Sequence, residues 1–345
     1  MRIALVNDVM AAVEAMRRVV LHTREHQIAW IARDGAAAVE LNARDTPDLI
    51  LMDLIMPGMD GVEATRRIMA RNPCAIVVVT ASVTSNSSKV FEAMGAGALD
   101  AVNTPVFDSP EASAGATALL SKIETIGRLL GANQRKPRPI PTQRAACSLA
   151  PGQPRLVGIG ASAGGPTALA RVLAHLPADF PAPIIIIQHV DMQFAKGLAA
   201  WLDGQSRLHV RVAREGDRPQ AGTALLAGQD NHLVFASPSR LVYTSQPADC
   251  AWHPSVDQFF KSAAQFWPGD VIGVVLTGMG ADGAEGLRAL RAKNHHTIAQ
   301  DQSSSAVYGM PAAAARLGAA SEILALDKIA ARLTNIVTDK ISSHG

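Results

Sequence analysis

The chain has 345 residues, of which 48% are apolar and 18% charged, with a mean hydropathy of +0.14. That composition fills the cores of about two domains and excludes a disordered chain. The 32 Lys and Arg against 30 Asp and Glu leave a net charge of +2, and aromatics make up only 4%. So balanced a chain has no global pull on nucleic acid or an anionic membrane, and few rings on which bases could stack.

The N-terminus MRIALVND reads as a strand followed by a site, not as a signal peptide. Short apolar runs follow at Ile3–Val6, Ile28–Ile31, Leu49–Met52, Ala75–Val79 and Ala98–Val102. Between them lie segments with helical spacing, such as Val9–Leu21 and Val62–Met69. Five strands alternating with five helices predict a parallel sheet covered on both faces. Residues 131 to 154 then hold five prolines and four basic residues with no acid, which predicts a linker. Beyond it, Leu156–Ile159, Ile184–Ile187 and Val271–Leu276 read as buried parallel strands. The stretch from about 205 to 245 is expected to add an antiparallel extension. The three cysteines, Cys74, Cys147 and Cys250, lie far apart and give neither a disulfide framework nor a zinc spacing. That usage fits a reducing, cytoplasmic setting. No apolar run approaches the roughly 18 residues of a membrane helix.

In open α/β sheets, ligands sit beyond the carboxyl ends of the strands. Asp8, Asp53 and Thr80 fall at such ends in the first half. Two carboxylates facing one crevice repel unless a cation joins them, and hard oxygen donors suit Mg²⁺. A carboxylate beside Mg²⁺ can attack a phosphoryl group, and a hydroxyl at Thr80 could then bond the acyl phosphate.

The segments LVND at 5–8, LMDLIMPGMDG at 51–61, VVTAS at 78–82 and GALDAV at 97–102 resemble the receiver domain of two-component response regulators. The resemblance implies a (βα)5, flavodoxin-like fold over residues 1–125, with a histidine kinase as phosphodonor. It makes Asp53 the phosphoacceptor, Asp8 and Asp53 metal ligands together with the carbonyl of Ile55, and Thr80 the switch hydroxyl. Two positions depart from the pattern. Asn7 stands where receivers usually carry a second acid, though it can still orient a metal-bound water. Thr104 stands where a lysine would pair with the phosphoryl group, which weakens stabilisation of the aspartyl phosphate.

In the second half, Gly160-Ala161-Ser162-Ala163-Gly164 fits Gly-x-Ser-x-Gly between a strand and a helix that opens at Pro166. Such a turn exposes a serine hydroxyl beside the free N–H groups of a helix N-terminus. The same stretch, as Gly158-x-Gly160-x-x-Ala163, also fits a dinucleotide fingerprint. That alternative wants an acid ending the next strand, where Gln188-His189 stands instead. His189 follows four isoleucines, and Asp282 lies in a Gly-rich turn after Val271–Leu276. Three polar groups after three parallel strands converge on one sheet edge. Chemistry then assigns Ser162 as nucleophile, His189 as base and acid, and Asp282 as the group that orients the imidazole. The order Ser, His, Asp differs from that of α/β-hydrolases.

GIGASAGGP at 158–166, QHV at 188–190, HPSVDQFF at 253–260, VVLTGMGADGAEG at 274–286 and AQDQSSSAVYGMP at 299–311 resemble the chemotaxis methylesterase (CheB) family. The resemblance implies a doubly wound, mostly parallel α/β catalytic domain over 154–340, joined to the receiver by a linker at 126–153. It implies the triad Ser162, His189 and Asp282, with the backbone amide of Met279 in the oxyanion site and no cofactor in the esterase site. The implied reaction is hydrolysis of glutamyl methyl esters on methylated chemosensory receptors, releasing methanol, with glutamine deamidation by the same chemistry. Ala163 replaces a threonine common in the family, and Asn294-His295 a Gly-Gly pair. LVND, GVEATRRIMA, PCAIV and DAVNTP look most like the Wsp surface-sensing branch, which implies a Wsp-type receptor and cyclic-di-GMP output. Phosphorylation at Asp53 is expected to relieve a receiver that limits access to Ser162. The alternative is a catalytically weak module that acts as a phosphate sink or binds a partner. No membrane insertion and no nucleic-acid partner are expected.

Overall fold

The computed structural model describes residues 1–23, 25–83, 85–105, 112–132 and 154–338. The chain divides into two compact units, Met1–Pro137 and Arg138–Gly345.

The first unit runs β1 (Arg2–Val6), α1 (Met10–Leu21), β2 (Gln27–Ala32), α2 (Gly35–Arg44), β3 (Leu49–Met52), α3 (Gly61–Arg71), β4 (Ala75–Thr80), α4 (Ser87–Gly95), β5 (Asp100–Asn103) and α5 (Ala112–Ala132). Its five strands pair in parallel in the order β2-β1-β3-β4-β5. The central strands β3, Leu-Ile-Leu-Met, and β4, Ala-Ile-Val-Val-Val-Thr, are buried at every position. Unbroken apolar runs of this kind belong to strands covered on both faces. Ile3, Leu5, Leu49, Leu51, Val77 and Val79 pack with Val13, Met16 and Val20 of α1 and with Leu119 and Ile123 of α5. Asp34 and Asp60 cap α2 and α3 by accepting from Ala37 N and Glu63 N, each such cap contributing about 1 kcal/mol. The order in which strands are added reverses at β1, with β2 on one side and β3 on the other, so the crevice of this sheet opens beyond the carboxyl ends of β1 and β3.

The linker expected over 126–153 lies outside the described residues from 133 onward. Before that, α5 continues helical to Ala132.

The second unit runs β6 (Arg155–Ala161), α6 (Gly165–Ala174), β7 (Ile184–Gln188), α7 (Met192–Gln205), β8 (His209–Val212), β9 (Thr223–Leu226), β10 (His232–Ser237), β11 (Arg240–Thr244), α8 (Val256–Phe266), β12 (Asp270–Val275), α9 (Ala284–Ala292), β13 (His296–Gln300), α10 (Met310–Arg316), β14 (Glu322–Leu324) and α11 (Leu326–Thr338). Seven strands form one parallel sheet in the order β14-β13-β12-β6-β7-β9-β8. The antiparallel element expected between 205 and 245 is confined to the hairpin β10–β11. In the same stretch β8 and β9 extend the parallel sheet instead. Ala224, Leu225 and Leu226 of β9 are buried almost completely, as a doubly covered strand requires.

Strand β6 is the switch point, flanked by β7 on one side and β12 on the other. Its two glycines make room for α8. A Cβ on Gly158 would lie 2.7 Å from Phe259 and 2.9 Å from Phe260, and one on Gly160 would run into Val256. The Gly-x-Gly spacing that also fits a dinucleotide loop is therefore a packing requirement of the strand.

Candidate active site

Ser162 follows β6 directly. Its N–H donates to Thr277 O at 3.0 Å, and its carbonyl accepts from Gly165 N at 2.8 Å and Gln188 Nε2 at 2.9 Å. The residue is thus fixed on both sides before its side chain is considered, and it is only 6% exposed. The turn into α6 passes through Gly164 at φ +73°, a left-handed conformation that costs a residue with a Cβ about 1 kcal/mol or more. At Gly165 a Cβ would run into the Gln188 carboxamide. Thr277 ties the neighbouring loops: its hydroxyl donates to Ala163 O at 2.9 Å and accepts from Val307 N at 2.9 Å.

Strand register brings His189 beside Ser162. Ala161 pairs with Gln188, so Ser162 and His189 leave adjacent strand ends at the same level. His189 N donates to Ala161 O at 3.0 Å, and Gln188 Nε2 also reaches His189 O at 3.1 Å. The His189 ring places Nε2 2.8 Å from Asp282 Oδ2, and the two side chains are 7% and 4% exposed. A carboxylate at this distance makes Nε2 the protonated nitrogen. Nδ1 is then the acceptor of the ring, buried and without a partner among the described residues. A buried imidazole with its acceptor nitrogen open is poised to take a proton.

Asp282 is held by the N-terminus of α8. Oδ1 accepts from Ser255 Oγ at 2.9 Å and Asp257 N at 3.0 Å, and Oδ2 accepts from Val256 N at 2.7 Å as well as from His189. Ser255 is also the N-cap of α8, accepting from Gln258 N. Burial alone would push the Asp282 carboxyl up, but the bonds from His189, Asp257 N and Val256 N outweigh it and hold it below the usual carboxylate range. The α8 dipole adds to the same effect. Burial, and then the charge of Asp282, push neighbouring Asp257 up, although its Oδ1 accepts from Gly286 N. His232, fully buried, accepts the Ser255 N–H on Nδ1 at 3.2 Å and faces Pro247 O through Nε2, so it steadies the start of α8 in its neutral form. Burial holds its pKa below the usual imidazole range.

Met279 lies one residue beyond Gly278, whose backbone abuts the serine. A Cβ on Gly278 would sit 2.8 Å from Ser162 Cβ and 3.0 Å from Ser162 N. Gly278 O accepts from Met310 N at 2.9 Å and Gly309 N at 3.1 Å. These bonds fix the peptide whose N–H belongs to Met279.

In the first unit Asp53 is buried and accepts from Leu54 N at 2.7 Å. Burial pushes its carboxyl up; the Leu54 and Ile55 N–H groups oppose this, and the charge of Asp8 adds to it. Asp8 is half-buried after β1, and Ile55 lies 53% exposed in the loop after β3. Two carboxylates whose charges raise one another's energy in a partly dry crevice are a donor set suited to a hard divalent cation. Asn7 turns its Oδ1 to Val9 N at 2.8 Å, shaping the loop rather than facing the acids with that oxygen. Thr80 is 1% exposed, and its hydroxyl accepts from Asn86 Nδ2 at 3.0 Å. Thr104 donates its N–H to Thr80 O at 2.8 Å. The nearby cations are differently engaged: Arg33 bonds the Asp8 carbonyl, and Lys89 lies 3.3 Å from Asp60.

Every candidate residue read from the sequence falls at the carboxyl edge of its sheet. The structure adds Gln188, Trp252, Ser255, Thr277 and Asn86. Gln188 and Thr277 lie within the motifs quoted above without a role read for them, and Ser255 is further marked as a serine opening the helical run Val-Asp-Gln-Phe-Phe; Trp252 and Asn86 carry no such signal.

Known proteins are similar along nearly the whole chain. Residues 157–333 match the CheB methylesterase family, and residues 3–111 match the response regulator receiver domain. A protein-glutamate methylesterase/protein-glutamine glutaminase of Cupriavidus metallidurans is 57% identical, over 96% of this chain and 97% of its own. One of Mesorhizobium japonicum is 56% identical, over 96% of this chain and 98% of its own. The solved CheB methylesterase catalytic domain of Thermotoga maritima aligns with a TM-score of 0.51 at 33% identity, covering 53% of this chain and 98% of that one. With Ser162, His189 and Asp282 at one sheet edge and Asp8 and Asp53 at the other unit's crevice, the chain belongs to the CheB methylesterase family and carries a response-regulator receiver domain ahead of its catalytic domain.

Proposed function

We propose that the chain hydrolyses glutamyl methyl esters on methylated chemosensory receptors, under control of phosphorylation at Asp53. The observation that carries the reading is the His189 ring, bonded through Nε2 to Asp282 and open at a buried Nδ1. Ser162 Oγ attacks the ester carbonyl carbon while His189 takes its proton. The tetrahedral oxyanion is met by the Met279 amide and the N-terminal end of α6. Methanol leaves with the proton from His189. Water then attacks the acyl-serine, again through His189, and releases glutamate with Ser162 restored. A glutamine side chain would follow the same course with ammonia as leaving group.

In the first unit, Asp8, Asp53 and the carbonyl of Ile55 would hold Mg²⁺. When bound, the ion neutralises charge on the transferring phosphoryl oxygens. Asp53 accepts the phosphoryl group from a histidine kinase, and Thr80 donates to it once released from Asn86.

The test is methanol release from a methylated receptor signalling fragment. The intact chain and Ser162→Ala are compared with and without a small phosphodonor and Mg²⁺. Release that requires Ser162 and rises with phosphodonor supports the reading. Absence of release under every condition replaces it with a binding module.

A further inference from the structure

Trp252 stands outside the triad and outside every motif read from the sequence. Its ring lies face to face with His189, centroids 4.6 Å apart and planes 3° from parallel. One face of the imidazole is therefore covered by an aromatic wall. The same indole packs on the loop that carries the Met279 amide: a Cβ on Gly280 would meet Trp252 Cζ2 at 3.4 Å. Gly280 itself holds φ +79°. Three residues on, Ser255 begins the group of donors that grips Asp282. One short segment thus touches the base, the orienting acid and the oxyanion loop.

We propose that Trp252 is a positioning residue for the esterase, locking the His189 ring plane and setting its spacing from the Met279–Gly280 loop. The proposal deepens the hydrolase reading and rests on it. The imidazole has only one hydrogen bond among the described residues, from Nε2 to Asp282. One bond leaves rotation about that axis unrestrained, and stacking removes it. Parallel aromatic contact also favours the charged ring that forms when His189 holds the serine proton. Displacements of about 1 Å at a reacting group can cost on the order of a hundredfold in rate.

The experiment compares wild type, Trp252→Phe and Trp252→Leu in the full chain. The first readout is labelling of Ser162 by a fluorophosphonate, in which the serine oxygen bonds phosphorus, fluoride leaves and His189 takes the proton. The expected result is at least tenfold slower labelling for Trp252→Leu and a rate within about threefold of wild type for Trp252→Phe. Methanol release should show the loss in kcat, with KM within about twofold. The second readout needs no turnover: the ring protons of His189, followed by NMR, should be shifted upfield in wild type and in Trp252→Phe and lose that shift in Trp252→Leu. Equal labelling rates in wild type and Trp252→Leu, with the upfield shift unchanged, overturn the proposal. An unreactive wild type whose His189 protons still respond to Trp252 would overturn the hydrolase reading while leaving the stack established.

Discussion

Replacing Asp282 by Asn isolates what the carboxylate does, because shape and volume barely change. The carboxylate accepts four hydrogen bonds, from Ser255 Oγ, Val256 N, Asp257 N and His189 Nε2. An amide has one accepting oxygen. In its better orientation that oxygen takes Val256 N and His189, the NH₂ donates to Ser255 Oγ, and Asp257 N is left facing a donor. One bond to the charged group is lost outright and the other three become neutral, that to Ser255 with its direction reversed. At about 1.5–3 kcal/mol for the first and less for the others, the catalytic unit loses about 2–4 kcal/mol. The rate should fall further, by about 10³–10⁴, because nothing then compensates the charge on His189 in the transition state. Because the folded pKa of Asp282 is depressed, its contribution is present above the ordinary carboxylate pKa of about 3.9 and is lost as pH falls through the lower folded value. The stability gap between wild type and Asp282→Asn should therefore be full at neutral pH and close only in strong acid. Denaturant unfolding followed by tryptophan emission reads the first quantity, and methanol release reads the second. A variant within tenfold of wild-type turnover, with an unchanged unfolding midpoint, would refute the assignment of this bond network as the support of the base.

Gly165→Ala should cut turnover more than stability. The new methyl displaces the Gln188 carboxamide, which holds the carbonyls of both Ser162 and His189; an unchanged rate of Ser162 labelling would argue against that clamp. Asp53→Asn should abolish phosphorylation and raise the melting temperature of the first unit at neutral pH. Asp53 has a raised folded pKa, so it is best tolerated below the ordinary carboxylate pKa and becomes unfavourable as pH rises through the folded value. Calorimetry should show the advantage vanishing in acid. Added Mg²⁺ should stabilise wild type and not the variant, and equal responses would show that the ion binds elsewhere.

The sheets were legible because buried parallel strands are written as continuous apolar runs. Leu49–Met52 and Ile184–Ile187 stand in the structure almost as the sequence marks them. The site was legible for a related reason: polar residues that directly follow such runs land on one edge. What periodicity does not encode is which strands become neighbours. The chain places β9 between β7 and β8, so part of the stretch from 205 to 245 joins the parallel sheet and the expected antiparallel extension narrows to the β10–β11 hairpin. Nor does it encode contacts between distant loops. Trp252 and His189, 63 residues apart in sequence, stack face to face with nothing in either segment's pattern to announce it. Asn7 shows a further limit: its residue type does not announce that its Oδ1 closes a two-residue turn by accepting from Val9 N.

Helix α8 joins two tasks in one element. Its inner face supplies Phe259 and Phe260 to the core, while its first turn grips Asp282. On the proposed mechanism, a chain in which this helix has not docked lacks the donors that hold Asp282 against His189. Core substitutions at Val256 or Phe260 should consequently surface in genetic screens as inactive alleles well before they surface as insoluble ones.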